Sequence, residues 1–319
     1  MKKISLLLAL ALLLGLTACG REEPEPVEPP VEEGPLYLET LAVELSRGGL
    51  GARELSAAVK ELPEALRDCL ADTGTVEIGE VRVTVGSSAS ATAQALAEGN
   101  IDLAFLPAEA FLRGGGAMAL LAGAQQPQPD SDFVEAGATA MLRAGATTYG
   151  GQLAARSGGA PLTWEEMENA RWGVSETGAA GDCFDLWLAA NFDGARTADL
   201  PQVTLYTDDE ALLDAALTGE IDALAICREG WTRTADAGAE ETLPLLAETE
   251  ALCTQLAAVS PARAELADAR FAAALEQALR RLGEERPDLM EALGAARFTA
   301  VEDGDLDSAR RLLALDEER

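Results

Sequence analysis

The sequence predicts an α/β protein of two lobes, each a mostly parallel sheet flanked by helices, joined by two hinge crossings. The first observation is an internal repeat, because residues 83–106 and 203–226 align without a gap. The second is an alternation of strand-like and helix-like segments in two sets, which is typical of parallel-sheet α/β units. The third is a pair of extended-looking segments, 137–143 and 252–259, at the two ends of the second set. These two segments suit crossings between lobes.

The two copies of the repeat share the order strand, polar turn, helix, strand. Seven of their positions are identical, including Gly99 and Gly219 at the end of each helix and Asp102 and Asp222 after it. Glycine is preferred just beyond a helix C-terminus. The wholly apolar strand that follows is typical of a parallel strand buried on both faces. Two unrelated crossovers could share this order by chance, but each would still be an α/β unit.

The other elements are predicted in chain order from patterns of the same kind. Before the repeat they are a strand over 36–45 and a helix over 52–70. Between its copies they are a short helix from Trp164, a strand over 171–174 and a helix over 180–191. After Ser260, apolar residues at three- and four-residue spacing predict helices over 262–283, 287–293 and 307–315. Lobe one is therefore placed at 36–138 plus 253–319, and lobe two at 139–252.

The N-terminal segment predicts export. Residues 1–18 have two lysines, an apolar run over 4–16 and then small residues before Cys19, and the run is shorter than the roughly 20 residues that span a bilayer. Cys19 in this setting resembles the lipobox of bacterial lipoproteins, which implies a diacylated cysteine that anchors the protein to the membrane. An ordinary signal peptide with a chance cysteine is the alternative. Residues 19–35, rich in Pro and Glu, are predicted to form an extended spacer.

Composition excludes several classes of function. The formal net charge is −31, so nucleic-acid binding, which needs clustered Lys and Arg, is not expected. The chain has no His, which excludes Ser-His-Asp and Cys-His catalysis and imidazole metal sites. No Cys-x-x-Cys spacing occurs among Cys69, Cys183, Cys227 and Cys253, which could pair as disulfides or remain buried thiols. We therefore expect a protein that is not an enzyme and has no metal or other cofactor.

Four segments carry a resemblance to a known family. They are LAVELSRGGL (41–50), VRVTVGSSASATAQALAEGNIDLAFLPAEAFL (81–112), ARWGVSETGAAGDCFDLWLAANFDG (170–194) and GEIDALAI (219–226). In order and spacing they resemble the phosphate/phosphite/phosphonate-type substrate-binding proteins of ABC transporters, over most of 36–282. The resemblance implies the type II periplasmic-binding-protein fold, with a ligand held between two lobes. It also implies an extracytoplasmic, monomeric protein that delivers a small anionic solute to ABC permease and ATPase subunits.

Three turns at predicted strand ends are the candidate anion contacts. In open α/β sheets, ligands lie beyond the carboxyl ends of the strands, where helix N-termini present unpaired N–H groups. The candidate residues are Ser46 and Arg47 in the first turn, Ser87 and Ser88 in the second, and Thr177, Gly178, Ala179 and Ala180 in the third. In the family the third turn is a Ser/Thr-rich anion cradle. Here Thr177 retains a hydroxyl donor, while the next three residues offer only backbone N–H groups.

Each candidate also has a structural interpretation. The serines could simply cap a helix, and Arg47 could be an exposed surface residue rather than a bidentate clamp on the ligand. Glu109, just after a strand end, could contact an amine of the ligand or could be solvated at a helix start. The site-forming aromatic and His residues of characterised phosphonate binders have no evident counterparts. Another small anion or a zwitterion therefore suits these residues equally well.

Two other functions compete with solute uptake. An enzyme on the same fold would need a nucleophile with a base, or a metal cluster, and neither is evident in the sequence. The other is a sensory or structural lipoprotein with the same fold and no transport role. The small number of hydroxyl groups around Thr177 favours that second alternative.

Overall fold

The structure is a computed structural model that describes residues 34–46, 52–124, 137–158 and 160–317. The predicted signal peptide, Cys19 and nearly all of the spacer lie outside these ranges, as does Arg47. Within them, no helix combines the length and the apolar character needed to cross a bilayer.

The first sheet is built from the two ends of the described chain. Its strands are β1 (Leu36–Leu45), β2 (Val76–Val85), β3 (Leu103–Pro107), β4 (Met118–Ala124), β10 (Gln255–Val259) and β11 (Arg297–Ala300). They lie in the order β11-β4-β10-β3-β1-β2. β1 is parallel to β2 and β3, whereas β10 is antiparallel to β3 and β4, and β11 is antiparallel to β4. This sheet and the helices packed on it are called lobe one.

The second sheet comes from the middle of the chain. Its strands are β5 (Ala140–Ala144), β6 (Trp172–Ser175), β7 (Val203–Tyr206), β8 (Ala223–Cys227) and β9 (Leu245–Glu248). They lie in the order β7-β6-β8-β5-β9. β6 is parallel to β7 and β8, and β5 is antiparallel to β8 and β9. This sheet and its helices are called lobe two.

Helices cover the faces of both sheets. They are α1 (Ala52–Ala71), α2 (Ala89–Ala97), α3 (Ala108–Gly114), α4 (Thr148–Ser157), α5 (Trp164–Asn169), α6 (Ala180–Asn191), α7 (Asp209–Thr218), α8 (Arg228–Thr234), α9 (Ala237–Thr242), α10 (Ala269–Glu285), α11 (Pro287–Leu293) and α12 (Asp307–Glu317). Apolar residues at four-residue spacing decide which face is buried. Leu62, Leu66 and Leu70 of α1 are fully buried in the same core as Leu275 and Leu279 of α10.

The predicted two-lobed α/β fold is confirmed, and several elements have the predicted bounds. The strand over 36–45 and the helix over 180–191 begin and end as expected. The helix predicted from residue 262 instead begins at Ala269, because Asp268 caps it by accepting the backbone N–H of Arg270 at 2.8 Å. β4, β9 and β11 were not predicted, since these segments lack the β-branched runs that indicate strands.

The sheets contain more antiparallel strand pairs than predicted, because the chain enters a sheet from a crossing at β5 and at β10. The strands β1, β2 and β3 run toward one edge of the first sheet, as β6, β7 and β8 do in the second. β5 and β10 are the strands that each crossing enters, and each runs away from that edge. A strand that enters its sheet where its neighbours end must be antiparallel to them.

The internal repeat appears as the same topology in both lobes. In lobe one the repeat forms β2, α2 and β3, and in lobe two it forms β7, α7 and β8. In each case the two strands of the crossover flank a central strand from outside the repeat, β1 or β6. The repeat therefore supplies the outer strands of a parallel three-stranded unit.

The identical Asp of each copy has the same structural role. Asp102 Oδ2 accepts the backbone N–H of Ala42 at 2.8 Å, and Asp222 Oδ2 accepts that of Arg171 at 3.0 Å. The backbone N–H of each Asp donates to the carbonyl of the same partner residue, at 2.9 and 2.8 Å. An arginine forms an ion pair with each carboxylate, Arg263 with Asp102 and Arg171 with Asp222. The repeated Asp thus joins the last part of each crossover to the central strand, at Ala42 within β1 and at Arg171 just before β6.

The two crossings lie side by side. Ala138 and Leu252 form an antiparallel bridge, and the backbone N–H of each donates to the carbonyl of the other at 2.8 Å. Gly137 has a φ of +111°, and a Cβ there would lie 2.3 Å from the carbonyl oxygen of Leu252. Glycine is required at this position because any side chain would meet the facing backbone.

A buried apolar cluster connects the two lobes. Lobe one and the second crossing contribute Ala108, Ala122, Leu252, Cys253 and Leu256, and lobe two contributes Ala140, Ala179, Ala180, Cys183, Leu186 and Cys227. The C-terminal segment adds Leu306 and Ala309. An ion pair of 3.3 Å between Arg196 and Asp316 also joins α12 to lobe two. The C-terminal helix therefore packs where the lobes meet.

Candidate functional site

The carboxyl ends of the central strands meet at one edge of each sheet. In lobe one, Ser46 follows β1, Gly86 follows β2 and Ala108 follows β3. The backbone N–H of Ser46 donates to the carbonyl of Phe105, and that of Gly86 to the carbonyl of Leu45, both at 2.9 Å. These bonds hold the three turns side by side at the edge where open α/β sheets bind ligands.

The candidate residues of lobe one lie along this edge. Ser46 is buried, whereas Ser87 and Ser88 are exposed. Ser88 Oγ accepts the backbone N–H three residues later at 3.2 Å and so caps α2. Glu109 is exposed and forms an ion pair of 3.0 Å with Arg113 in the same helix. The structure therefore gives Ser88 and Glu109 partners within their own helices.

Ser46 and Ser175 occupy equivalent positions in the two lobes. β1 begins to pair with β3 at Val43, and β6 begins to pair with β8 at Trp172. Each serine lies three residues after that point, and both are buried, at 6% and 2% exposure. This equivalence lies outside the repeated sequence, because the central strands are not part of it.

The turn after β6 is held by short hydrogen bonds. Ser175 Oγ, Thr177 Oγ1 and Asp209 Oδ1 lie 2.6 Å from one another. The backbone N–H of Thr177 donates to Ser175 Oγ at 3.0 Å. The Asp209 side chain is 2% exposed, and its Oδ2 accepts Nη2 of Arg233 at 2.8 Å. The Thr177 hydroxyl, a candidate ligand donor, is thus bonded inside lobe two.

The helix α6 begins at Ala180, three residues after Thr177. Gly178 has a φ of +62°, which turns the chain into the helix. Ala179, the N-cap residue, has no side chain that could accept the N–H groups of the first turn. Ala179 and Ala180 are buried in the cluster between the lobes, and a Cβ added at Gly181 would meet no atom within 4 Å. The first turn therefore offers backbone donors without a protein cap.

The lobe-one edge faces the start of α6. Ala108, directly after β3, belongs to the same buried cluster as Ala179 and Ala180. Desolvation by the surrounding protein raises the pKa of Asp182 in the first turn of α6, although its side chain still reaches solvent. The carboxylates of Asp185, Asp316 and then Glu109 raise that pKa further. Glu109 of lobe one is thus close enough to Asp182 of lobe two to repel its charge.

Two charged residues at the lobe-two edge, Asp209 and Arg228, are not among the candidate ligand contacts from the sequence. The alignment of the two repeat copies pairs Asp209 with Ala89, 120 residues earlier, so the change from Ala to Asp was visible in the sequence. Arg228 follows β8, and its backbone N–H donates to the carbonyl of Thr139 at 3.0 Å while its Nε donates to Thr139 Oγ1 at 3.3 Å. It also forms an ion pair with Glu248. Arg228 therefore holds the first crossing against β8.

The four cysteines after Cys19 are free and buried. Burial raises the pKa of Cys183 and of Cys253 to about 12, and that of Cys227 to about 11. Thiols with such pKa values are almost wholly protonated near neutral pH and react slowly. Within the described ranges, no three His, Cys, Asp or Glu residues are grouped as a set of metal ligands.

Comparisons with known proteins give one match to a family and several to solved structures. Residues 49–306 match the family described as ABC transporter, phosphonate, periplasmic substrate-binding protein. No curated protein matches the chain. The family consists of binding proteins rather than enzymes, and its members act outside the cytoplasm.

The solved structures that resemble this protein share little sequence identity with it. XAC2383 from Xanthomonas citri, bound to chloride ion, has a TM-score of 0.50 at 12% identity, covering 88% of this chain and 98% of that one. PhnD1 from Prochlorococcus marinus, in complex with methylphosphonate, has a TM-score of 0.47 at 12% identity, covering 88% and 99%. The likeness to XAC2383 supports the fold. Because the family match spans most of the sequence, the chain belongs to the periplasmic substrate-binding proteins of phosphonate-type ABC transporters.

Proposed function

We propose that this protein binds a small anion, such as phosphate, a phosphonate or a related oxyanion, between the carboxyl edges of its two sheets. The observation that carries the proposal is the uncapped start of α6, which lies in the same cluster as Ala108 of lobe one. A helix N-terminus presents N–H donors and a partial positive charge to an anion. An acidic protein can use such a site, because salt screens remote surface charges over about 10 Å.

The proposed site combines both lobes. Gly178, Ala179 and Ala180 supply the backbone at the lobe-two side, together with the first-turn N–H of Gly181. Ser46, Ser87 and Ser88 line the lobe-one edge, and Arg47 follows Ser46 in the chain. Glu109 and Asp182 place negative charge close by, which suits an amine elsewhere on the ligand. The lobes are proposed to divide at the Ala138–Leu252 bridge, with 36–138 plus 253–319 in one and 139–252 in the other.

The cellular setting is part of the proposal. Cys19 is proposed to carry the lipid that anchors the protein to the membrane, with 19–35 as the spacer. The protein is proposed to act as a monomer that delivers its ligand to the permease and ATPase subunits of an importer. Closure of the lobes around the ligand is proposed to use the paired crossings as the hinge.

Gly181 permits a test of the helix start. Gly181→Pro removes one first-turn N–H donor, and proline is tolerated in the first turn of a helix. Gly181→Ala is the matched control, because it keeps the N–H and its Cβ has free space. Titration calorimetry with methylphosphonate, phosphate and methanesulfonate should show binding to the unmodified protein. We expect Gly181→Pro to weaken it about tenfold or more, as for loss of a hydrogen bond to a charged group, and Gly181→Ala to leave it unchanged.

Equal affinity in the proline and alanine variants would exclude the helix start as the anion site. A sensory or structural lipoprotein without transport is the second candidate, and the hydrogen bonds that engage the Thr177 hydroxyl favour it. That candidate predicts that no anion in a thermal-shift screen raises the melting temperature.

A further inference from the structure

Asp209 is a buried carboxylate that is hydrogen-bonded to the turn before α6. Its side chain is 2% exposed at the first position of α7, and Arg233 is the cation paired with it. A buried negative charge so near an anion site opposes binding unless it has a specific role. The hydrogen bonds around Asp209 indicate what that role is.

Proton counting shows what the two hydroxyls can do. Three contacts of 2.6 Å join three oxygen atoms, Ser175 Oγ, Thr177 Oγ1 and Asp209 Oδ1. Only two hydroxyl protons are available for these three contacts. An ionised carboxylate brings no proton. Both protons are used within this triangle whichever hydroxyl donates to the other, because a proton turned outward would leave two of the three short contacts without any proton. Thr177 therefore has no hydroxyl proton to offer a ligand.

The same bonds fix the backbone of the turn. The backbone N–H of Thr177 donates to Ser175 Oγ at 3.0 Å, so the chain after β6 folds back onto the triangle. The next residue, Gly178, has a φ of +62° and leads into the uncapped start of α6. On the far side of Asp209, a Cβ at Gly230 would lie 2.4 Å from Oδ2, so the carboxylate has little room to move.

We propose that Asp209 is the positioning residue of the anion site: it engages both hydroxyls of the 175–177 turn and thereby sets the direction of the α6 N–H donors. This inference rests on the proposed function of that helix start. Thr177 then acts through Asp209 and contacts no ligand through its hydroxyl. Arg233 offsets the charge of Asp209 so that the anion is not repelled.

A double-mutant cycle tests the inference, with methylphosphonate as the probe and titration calorimetry as the assay. The variants are Asp209→Asn, Thr177→Val and their combination, and Thr177→Ser is the control that keeps the hydroxyl. We expect each single variant to weaken binding about tenfold, since a misplaced donor costs roughly one hydrogen bond to a charged group. We expect the combination to be no weaker than the poorer single variant, because both act on one network. Thr177→Ser should bind as the unmodified protein does.

Several results separate this inference from the proposed function. If folded Asp209→Asn binds the probe as tightly as the unmodified protein and only melts at lower temperature, Asp209 is merely structural and the inference is wrong. If the two losses multiply in the combined variant, Thr177 contacts the ligand itself and the inference is also wrong. Should Asp209→Asn fail to fold, the comparison of Thr177→Val with Thr177→Ser decides, because equal affinity of the two would overturn it. An unmodified protein that binds none of the three anions would overturn the proposed function and this inference with it.

Discussion

Asp222 supports a quantitative prediction about stability. Asp222 is 5% exposed. Its Oδ2 accepts hydrogen bonds from the backbone N–H and from Nε of Arg171. Its Oδ1 accepts one from Nη2 of the same arginine at 2.8 Å. Replacement by alanine leaves the Arg171 N–H without its partner, a loss of about 1.5–3 kcal/mol for a bond to a charged group. The guanidinium is 44% exposed, so solvent screening limits its share to at most about 1 kcal/mol.

We therefore expect Asp222→Ala to lower the free energy of unfolding by about 1.5–4 kcal/mol. Urea unfolding followed by tryptophan fluorescence measures it, because Trp172 is fully buried on the strand next to Asp222. Asp68→Ala is the matched control. Asp68 is 60% exposed in an ion pair with Arg67, so its loss should change stability by less than about 0.5 kcal/mol. Similar losses for the two variants would refute the role given to the repeated Asp.

The same carboxylate gives a direction for pH dependence. Hydrogen bonds from the Arg171 guanidinium, with a smaller effect from its backbone N–H, hold the pKa of Asp222 below its ordinary value despite burial, which raises it. Because the pKa is lower in the folded state, this stability is fully present above about 3.9, the pKa of Asp in an unfolded chain. It is lost as the pH falls through the folded-state value. The stability difference between the unmodified protein and Asp222→Asn should therefore shrink below about pH 4 and stay constant above it.

Two further predictions concern the crossings and the thiols. Gly137→Ala should destabilise the protein by about 1–3 kcal/mol, the usual cost of a strained backbone position, since its Cβ would lie 2.3 Å from the Leu252 carbonyl. Gly151→Ala, in the open space of α4, should instead be neutral or stabilising by up to about 1 kcal/mol, and urea unfolding would contradict this account if both variants behaved alike. Because burial raises the pKa of Cys183 and Cys253 to about 12, a thiol reagent at pH 8 should label neither in the folded protein and both in urea. Fast labelling of either thiol in the folded protein would show that the region between the lobes opens.

Much of the fold follows from local patterns. The strand over 36–45 was predictable because apolar residues alternate before a polar turn, and the helix over 180–191 because its apolar face has helical spacing. The repeat led to the two parallel units because a strand, a helix ending at glycine and an apolar strand form one crossover. β4 and β9 were missed, since both lack β-branched residues and take their strand geometry from the neighbours they pair with.

The candidate site was less predictable, because its hydrogen bonds join distant parts of the chain. The turn at Thr177 was predicted from its place at a strand end, and it does lie at the carboxyl edge of β6. That its hydroxyl is engaged by Asp209, 32 residues later, depends on the packing of α7 against β6. Nothing in the spacing of the two residues indicates that contact.

The sequence by itself determined that the chain has two α/β lobes and where the repeated crossover of each lobe lies, and it predicted the edge of each sheet at which a ligand would bind. These features follow from periodicity, turn chemistry and the direction of parallel strands, which are local in the chain. Only the tertiary structure decided that the hydroxyls of Ser175 and Thr177 are bonded to Asp209. It also decided that Ala179 and Ala180 are buried between the lobes and that residue 137 must be glycine. Each of these depends on atoms that are close in space and far apart in sequence, so no local pattern could specify it.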